Sequence, residues 1–464
     1  MNAGGLGLRA HVARILLAPM VAVLTWAAFP PASATLGTLG LDALMVALFG
    51  VILLFFRPEI YRSMRSVSFF ALGFAAAVVA AGIIARHQPP RIELIPIAFP
   101  VFFFAVLFDG RIAAVAAMAI AVLVGSQPSL RGTDALAFCF VGGVAAALSL
   151  RRISKRTQAY TFVITVGAIY ATAAAVSGLA EQETLQAIGE SAAYGGLNAV
   201  MSAALAMLLL PLAEAWTHST TDLRLLELSD PSRPLLRRLA SEAPGTYAHS
   251  VAMANLCEAA CNAIGANGLL ARVGCYYHDV GKLRNPLYFA ENLGRSKNPH
   301  DHLTPLQSAA IIRRHVEDGV ALAKGQRLPE VVWRFIPEHH GTQEISYFLD
   351  RAREQGGTPD PAAFRYPGPV PQSAETAVAL LADAVEASMR VLDEPTPETL
   401  EDAIDHLVTS RVASGQLSQA PLTLRQIEAV RRAFVRIIAG MYHHRVEYPG
   451  DAGGITADWE TTGD

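Results

Sequence analysis

The stretch GCYYHDVGKLRNP, residues 274–286, sets a histidine and an aspartate side by side between two tyrosines and a Val-Gly-Lys turn. A salt-bridged surface dipeptide and a pair of metal ligands both fit those residues, so the surroundings must decide. Apolar residues at three-to-four spacing predict helices over 248–264, 269–280, 305–323, 330–340, 374–392, 398–412 and 423–444. Thr304-Pro305 and Ser373 read as helix starts, and Gly265, Gly281 and Gly341 as stops. No sustained alternation of period two occurs there, the Pro/Gly-rich segment 350–372 reads as a loop, and 450–464 as a loose acidic tail. The stretch therefore belongs to an all-helical domain.

Upstream the composition changes. Of the 464 residues 52% are hydrophobic, and that excess is concentrated before residue 217. Apolar runs long enough to span a bilayer fall near 12–29, 37–56, 68–86, 92–109, 111–127, 134–150, 158–180 and 191–216. The turn at Asp109-Gly110-Arg111 also allows a re-entrant pair. Basic residues gather in alternate loops, at Arg9, Arg14, Arg57, Arg62, Arg65, Arg111, Arg151, Arg152, Lys155 and Arg156, against Arg86, Arg91 and Arg131 in the others. The positive-inside rule then places both ends of the membrane half in the cytoplasm. Residues 8–34 also read as a secretory signal, with PASA as a cleavage site. Its removal leaves seven spans and the same cytosolic location for the second half.

The expected order is thus a polytopic transmembrane bundle over 1–216, a linker over 217–245 interrupted by Pro231, Pro234 and Pro244, and an all-helical cytosolic domain over 246–449. The near absence of ionisable residues inside the spans argues against an ion pathway. Gly142, Gly143, Gly195 and Gly196 read as sites of close helix packing. A net charge of −3 excludes nucleic-acid binding by bulk electrostatics. Cys139, Cys257, Cys261 and Cys275 form no CxxC pair and read as reduced core cysteines.

Seven of the thirteen histidines, His249, His278, His300, His302, His315, His339 and His340, fall between 249 and 340. Asp383 sits in the apolar helix VALLADAVEAS, where a lone carboxylate is expensive unless paired or metal-bound. Imidazoles and carboxylates together suit iron, manganese or zinc, and a carboxylate such as Asp279 has two oxygens with which to bridge two ions. Two ions about 3.5–4 Å apart can activate a water and stabilise the attacking and leaving oxygens of an in-line phosphoryl displacement.

The ordered set His249, His278-Asp279, His315, His339-His340 and Asp383 resembles the extended, di-metal HD-domain phosphohydrolases. With the flanks YYHDVGK, NPHDHLTP, FIPEHHGT, FRYPGPVPQSAETAVALLADAVEAS and HHRVEYP, the chain resembles the seven-transmembrane HD family, whose characterised activity is hydrolysis of cyclic di-AMP. That resemblance covers about 220–450 closely and the membrane half by topology. It implies one divalent ion, iron or manganese, on His249, His278, Asp279 and Asp383. A second would lie on His315, His339 and His340, with Asp279 bridging. Asp279 and Lys282 would serve catalysis, the lysine at a phosphate oxygen, and His300 and Asp301 would help to hold substrate or simply order their loop.

The implied function is opening of cyclic di-AMP to pApA at the cytosolic face of a bacterial plasma membrane. The partners are a cyclic dinucleotide and the bilayer, with no nucleic acid, and a homo-oligomer is compatible with the sequence. Two departures stand out. Ala248 replaces a histidine that usually precedes the first ligand, and only about seven residues, near 30–36, stand where the family typically carries an extracellular domain. The GYP motif of the cyclic di-GMP enzymes is missing after the doublet, where HHGTQEISYF stands. Alternative functions are an HD hydrolase of another cyclic dinucleotide or nucleotide, such as cyclic di-GMP, and a membrane receptor that binds a nucleotide without cleaving it.

Overall fold

Each apolar run of the first half becomes a helix because a backbone surrounded by hydrocarbon must satisfy its own hydrogen bonds. The computed structural model describes residues 14, 17–29, 36–87, 90–130, 134–150, 157–356, 358–389 and 396–442. Arg9, Arg131, the basic cluster 151–156, the segment 30–35, the HHRVEYP motif and the tail 450–464 lie outside the described residues. Two compact units result, Met1–Arg224 and Leu225–Asp464, with the division inside the segment read as a linker.

In the first unit the apolar helices are α1 (Leu17–Ala28), α2 (Leu36–Phe56), α3 (Met64–Ala85), α4 (Ala98–Leu107), α5 (Gly110–Gly125), α6 (Ala135–Ser149), α7 (Thr157–Ala180) and α8 (Leu185–Thr217). Four of them, α2, α3, α7 and α8, are long and apolar enough to cross a membrane. The others are shorter than the runs suggested. The 10 residues of α4 rise only about 15 Å, half of a hydrocarbon core about 30 Å thick. Asp109 explains the break: its carboxylate accepts from Arg111 N at 2.6 Å, ending one helix and capping the next, while Arg57 pairs with it.

Tyr170 fills the space beside Gly142 and Gly195, where a Cβ would lie 2.3 Å and 2.5 Å from its atoms. Gly143 is similarly tight against Ala117, whereas a Cβ at Gly196 would meet nothing within 4 Å. Among the described residues of this unit Arg14, Asp42 and Glu93 are buried ionisable groups. Asp42 of α2 is held by Gln127 Nε2, 3.2 Å from each carboxylate oxygen.

The second unit contains no strand among its described residues, only one antiparallel bridge between Glu344 and Arg365. Its long helices are α9 (Pro244–Ala263), α10 (Gly268–Tyr277), α11 (Pro305–Gly325), α12 (Ala374–Met389), α13 (Pro397–Ala413) and α14 (Leu424–Tyr442). Pro234 and Pro244, read as breaks, open helices instead, because proline at the first helical position loses no hydrogen bond. Thr304 and Gln307 form a reciprocal capping box before α11. Met253, Cys257 and Cys261 of α9 pack with Val378, Leu381 and Val385 of α12 and Phe434 of α14. All four cysteines are free and buried.

Two further expectations need correction. The 330–340 helix is two short turns, Glu330–Trp333 and Phe335–Glu338. The segment 350–372 is not wholly loop, since Ser346–Glu354 is helical and buries Phe348 and Leu349.

Candidate metal centre

Helix α10 stops at Tyr277, His278 caps it, and Asp279 starts a 3-10 turn over Val280–Arg284. That change of path carries the aspartate inward, leaving it 1% exposed. Gly281 is required by proximity rather than by its dihedral: a Cβ there would lie 1.8 Å from the His315 carbonyl oxygen. The HD turn therefore rests on the backbone of α11, which delivers His315. His249 comes from the buried face of α9, and Asp383 from α12. His339 and His340 follow the Phe335–Glu338 turn and precede Gly341, which takes φ 54°.

These residues converge. Asp279 Oδ1 lies 3.4 Å from His315 Nε2 and 3.6 Å from His339 Nε2. Its Oδ2 lies 3.2 Å from His278 Nε2, 3.9 Å from His249 Nε2 and 2.7 Å from Lys282 Nζ. Asp383 reaches His249 Nε2 at 3.2 Å with Oδ1 and His340 Nδ1 at 3.7 Å with Oδ2. Two ligand groups follow, His249-His278-Asp279 and Asp279-His315-His339-His340, each with potential ligand atoms within 4.8 Å of one another.

The fit to metal rests on atoms left unpaired. Nε2 of His278, His315 and His339 and Oδ1 of Asp279 are buried without a hydrogen-bond partner. Each such loss costs about 1–3 kcal/mol, and here the atoms face one another. The opposite nitrogens are fixed: Nδ1 of His278, His315 and His339 bond the carbonyls of Cys275, Ile312 and Phe335 at 2.6, 2.6 and 2.9 Å. With the proton on Nδ1, each Nε2 offers a lone pair inward.

Charge is arranged to match. Burial opposes ionisation of Asp279, but His278 and Lys282 outweigh it and hold the carboxyl well below its usual range. Burial lowers the Lys282 ammonium, and Asp279 and Glu291 more than restore it. Burial pushes His339 down to about 3 and lowers His315 and His340 as well. His249 differs: burial would lower it, yet hydrogen-bonded Asp383 and Glu386 hold it up at about 10.

A cleft of about 470 Å³ opens over the cluster, lined by His249, Lys282, Phe289, Glu291, His315, His340, Tyr366, Asp383 and Glu386. The structure does not bring His300 and Asp301 to it. His300 Nε2 bonds the Tyr288 carbonyl at 2.9 Å and its ring packs on Phe348, while Asp301 is exposed. Four of those lining residues, Phe289 among them, escaped the sequence reading. Glu386 bonds His249 Nδ1 at 2.5 Å and was discernible as a second acid one turn after Asp383. Glu291, on a four-residue helix, accepts from Lys282 Nζ at 2.7 Å and from Thr246 Oγ1 at 2.9 Å. Tyr366 stacks on His340 with ring centroids 4.1 Å apart, from a Pro/Gly-rich segment that gave no signal.

The family described as "7TM receptor with intracellular HD hydrolase" matches residues 33–221, and the HD domain matches 246–388. The cyclic-di-AMP phosphodiesterase PgpH of Bacillus subtilis is 35% identical over 371 residues, 77% of this chain and 51% of its own length. PgpH of Listeria monocytogenes is 38% identical over 320 residues, 68% and 44% of the two chains. The crystal structure of the Listeria PgpH HD domain in complex with cyclic di-AMP is 41% identical, covers 47% of this chain and all of that one, and superposes with a TM-score of 0.45. The chain belongs to the 7TM-HD family. It spans about half the length of the Bacillus relative and less of the Listeria one. As a family member it is a polytopic helical membrane protein with an HD domain, and its His/Asp cluster is able to hold the metal on which HD domains depend.

Proposed function

We propose that this chain is a metal-dependent phosphodiesterase that hydrolyses cyclic di-AMP to pApA at the cytosolic face of a bacterial plasma membrane. The observation that carries the reading is the set of unpaired imidazole nitrogens facing Asp279, with a protonated lysine 2.7 Å from the same carboxylate. The substrate assignment is supported by the PgpH relatives. The cytosolic placement is supported by the arginine bias of the loops.

In this reading 1–216 is the membrane anchor, 217–245 the linker and 246–449 the catalytic domain. His249, His278, Asp279 and Asp383 would hold one ion and Asp279, His315, His339 and His340 the other, iron or manganese by donor type. Such a pair supplies positive charge for a phosphate and makes a water acidic enough to attack near neutral pH. Lys282 has three donors, two of them engaged by Asp279 and Glu291. The third donates to a non-bridging phosphate oxygen and orients the ester in line. Phe289 and Tyr366 give the cleft apolar walls for a base, and Tyr366 keeps the His340 ring from rotating. Water adds to one phosphorus, the bond to the 3′ oxygen breaks, and that oxygen takes up a proton, leaving linear pApA.

The test is turnover by detergent-purified full-length protein with added manganese or ferrous iron, on cyclic di-AMP beside cyclic di-GMP. Selective formation of pApA is expected. No turnover of either by protein shown to contain two metals overturns the reading and favours a non-cleaving receptor.

A further inference from the structure

The seam between α3 and α8 in the membrane unit is open at two levels. At the arginine-rich end, a groove of about 450 Å³ is lined by Met64, Arg65, Ser68, Ala215, Trp216 and His218. Further along the same two helices a cavity of about 380 Å³ lies among Ala76, Ala77, Phe99, Leu197, Met201 and Leu205. From Arg65 to Ala76 the helix rises about 16 Å, close to one leaflet of a hydrocarbon core about 30 Å thick. Between the two levels α3 exposes Leu72, and α8 exposes Leu208 and Leu212.

The two ends differ in chemistry. In the groove the Arg65 guanidinium donates to His218 Nε2, which places two basic groups in contact at an exposed site. One bond leaves Arg65 with further donors, and an anionic oxygen is the ligand that both groups favour. Trp216 is 50% exposed beside them, its indole N–H 3.4 Å from Ser68 Oγ, as suits an aromatic ring at a membrane boundary. The cavity offers a polar ligand nothing. Asn198 already donates to the carbonyls of Glu93 and Ile95, and Ser202 donates to Asn198.

We propose that this seam binds one anionic phospholipid, its phosphate held by Arg65 and His218 and an acyl chain running along α3 and α8 into the cavity at Ala76 and Met201. Charge complementarity selects the headgroup, and the apolar continuation selects a lipid over a soluble phosphate. The site belongs to the membrane unit alone, so its test is independent of the hydrolase reading.

The experiment is native mass spectrometry of the full chain in detergent, titrated with phosphatidylglycerol or phosphatidylcholine of identical chains. We expect at least fivefold tighter retention of phosphatidylglycerol, lost in Arg65→Gln and kept in Arg111→Gln, a basic residue outside the groove. His218→Gln reduces the preference and serves if Arg65→Gln does not express. Met201→Trp fills the cavity and weakens long-chain phosphatidylglycerol without affecting a dioctanoyl form. Equal retention of the two lipids by the parent protein overturns the proposal. So does a preference that survives both Arg65→Gln and His218→Gln, or displacement of the lipid by millimolar inorganic phosphate.

Discussion

Glu386 Oε2 lies 2.5 Å from Nδ1 of His249, so this imidazole is backed by a hydrogen-bonded carboxylate. Its neighbours His278, His315 and His339 are backed by neutral carbonyls. A carboxylate behind a ligating imidazole makes it more basic and fixes its orientation, and loss of such partners costs about 10–100-fold in metal affinity. Glu386→Gln is therefore expected to weaken the ion on His249 by that factor and spare the one on His315 and His339. Metal analysis after graded chelation checks this, with the mutant dropping to one ion per chain where the parent keeps two. Simultaneous loss of both ions would contradict it.

Ion uptake should also release a proton. With His249 held up at about 10 and His339 pushed down to about 3, the ion-free site near pH 7.5 carries its imidazole proton on His249. A ligand nitrogen must be free of its proton, so binding expels about one proton per chain. The release fades as pH rises through 10, where His249 is already neutral. Calorimetry in buffers of different ionisation enthalpy reads this directly, and His249→Asn should lower the release by that one proton.

Asp279→Ala removes the carboxylate shared by both ligand groups and by Lys282. Phosphodiesterase turnover should fall to background and the bound metal should be lost, while the helical circular dichroism stays. Near-normal turnover by this variant would defeat the two-ion assignment.

Gly281→Ala tests the seat of the HD turn. Its methyl would fall 1.8 Å from the His315 carbonyl oxygen, so the turn must move away from α11. Overpacking of this kind costs about 1–3 kcal/mol, seen as a lower melting temperature of the HD unit. His315 and Asp279 would separate, and metal content should fall even in protein that remains folded.

Much of this was legible because it is periodic or chemically expensive. The helices carrying His249, His315 and Asp383 announce themselves by apolar spacing, and an acid within VALLADAVEAS has few explanations. Glu386 is equally visible there, but its value depends on which imidazole it meets across 137 residues. Tyr366 lies in a segment whose proline and glycine content conceals where the chain returns. For His300 the sequence left both roles open, because a histidine that packs a loop has the same composition as one that holds a ligand; here it packs on Tyr288 and Phe348. In the membrane half the hydrophobic runs show where helices form, not how long they are. Only contacts such as Asp109 capping α5 set their ends.

The contact between Gly281 and His315 has a consequence for entry of a ligand. It welds the HD turn to α11, so the wall carrying Asp279, Lys282 and His315 behaves as one rigid piece. Opposite it, Tyr366 hangs on a segment fastened by the Glu344–Arg365 bridge and ion pair, by Arg313 donating to the Ala363 carbonyl, and by the Tyr366 amide on the Gln343 carbonyl. If the proposed cyclic dinucleotide enters the cleft, the give is expected on the tyrosine side. The wall that carries Asp279 would then stay anchored while the doorway stretches.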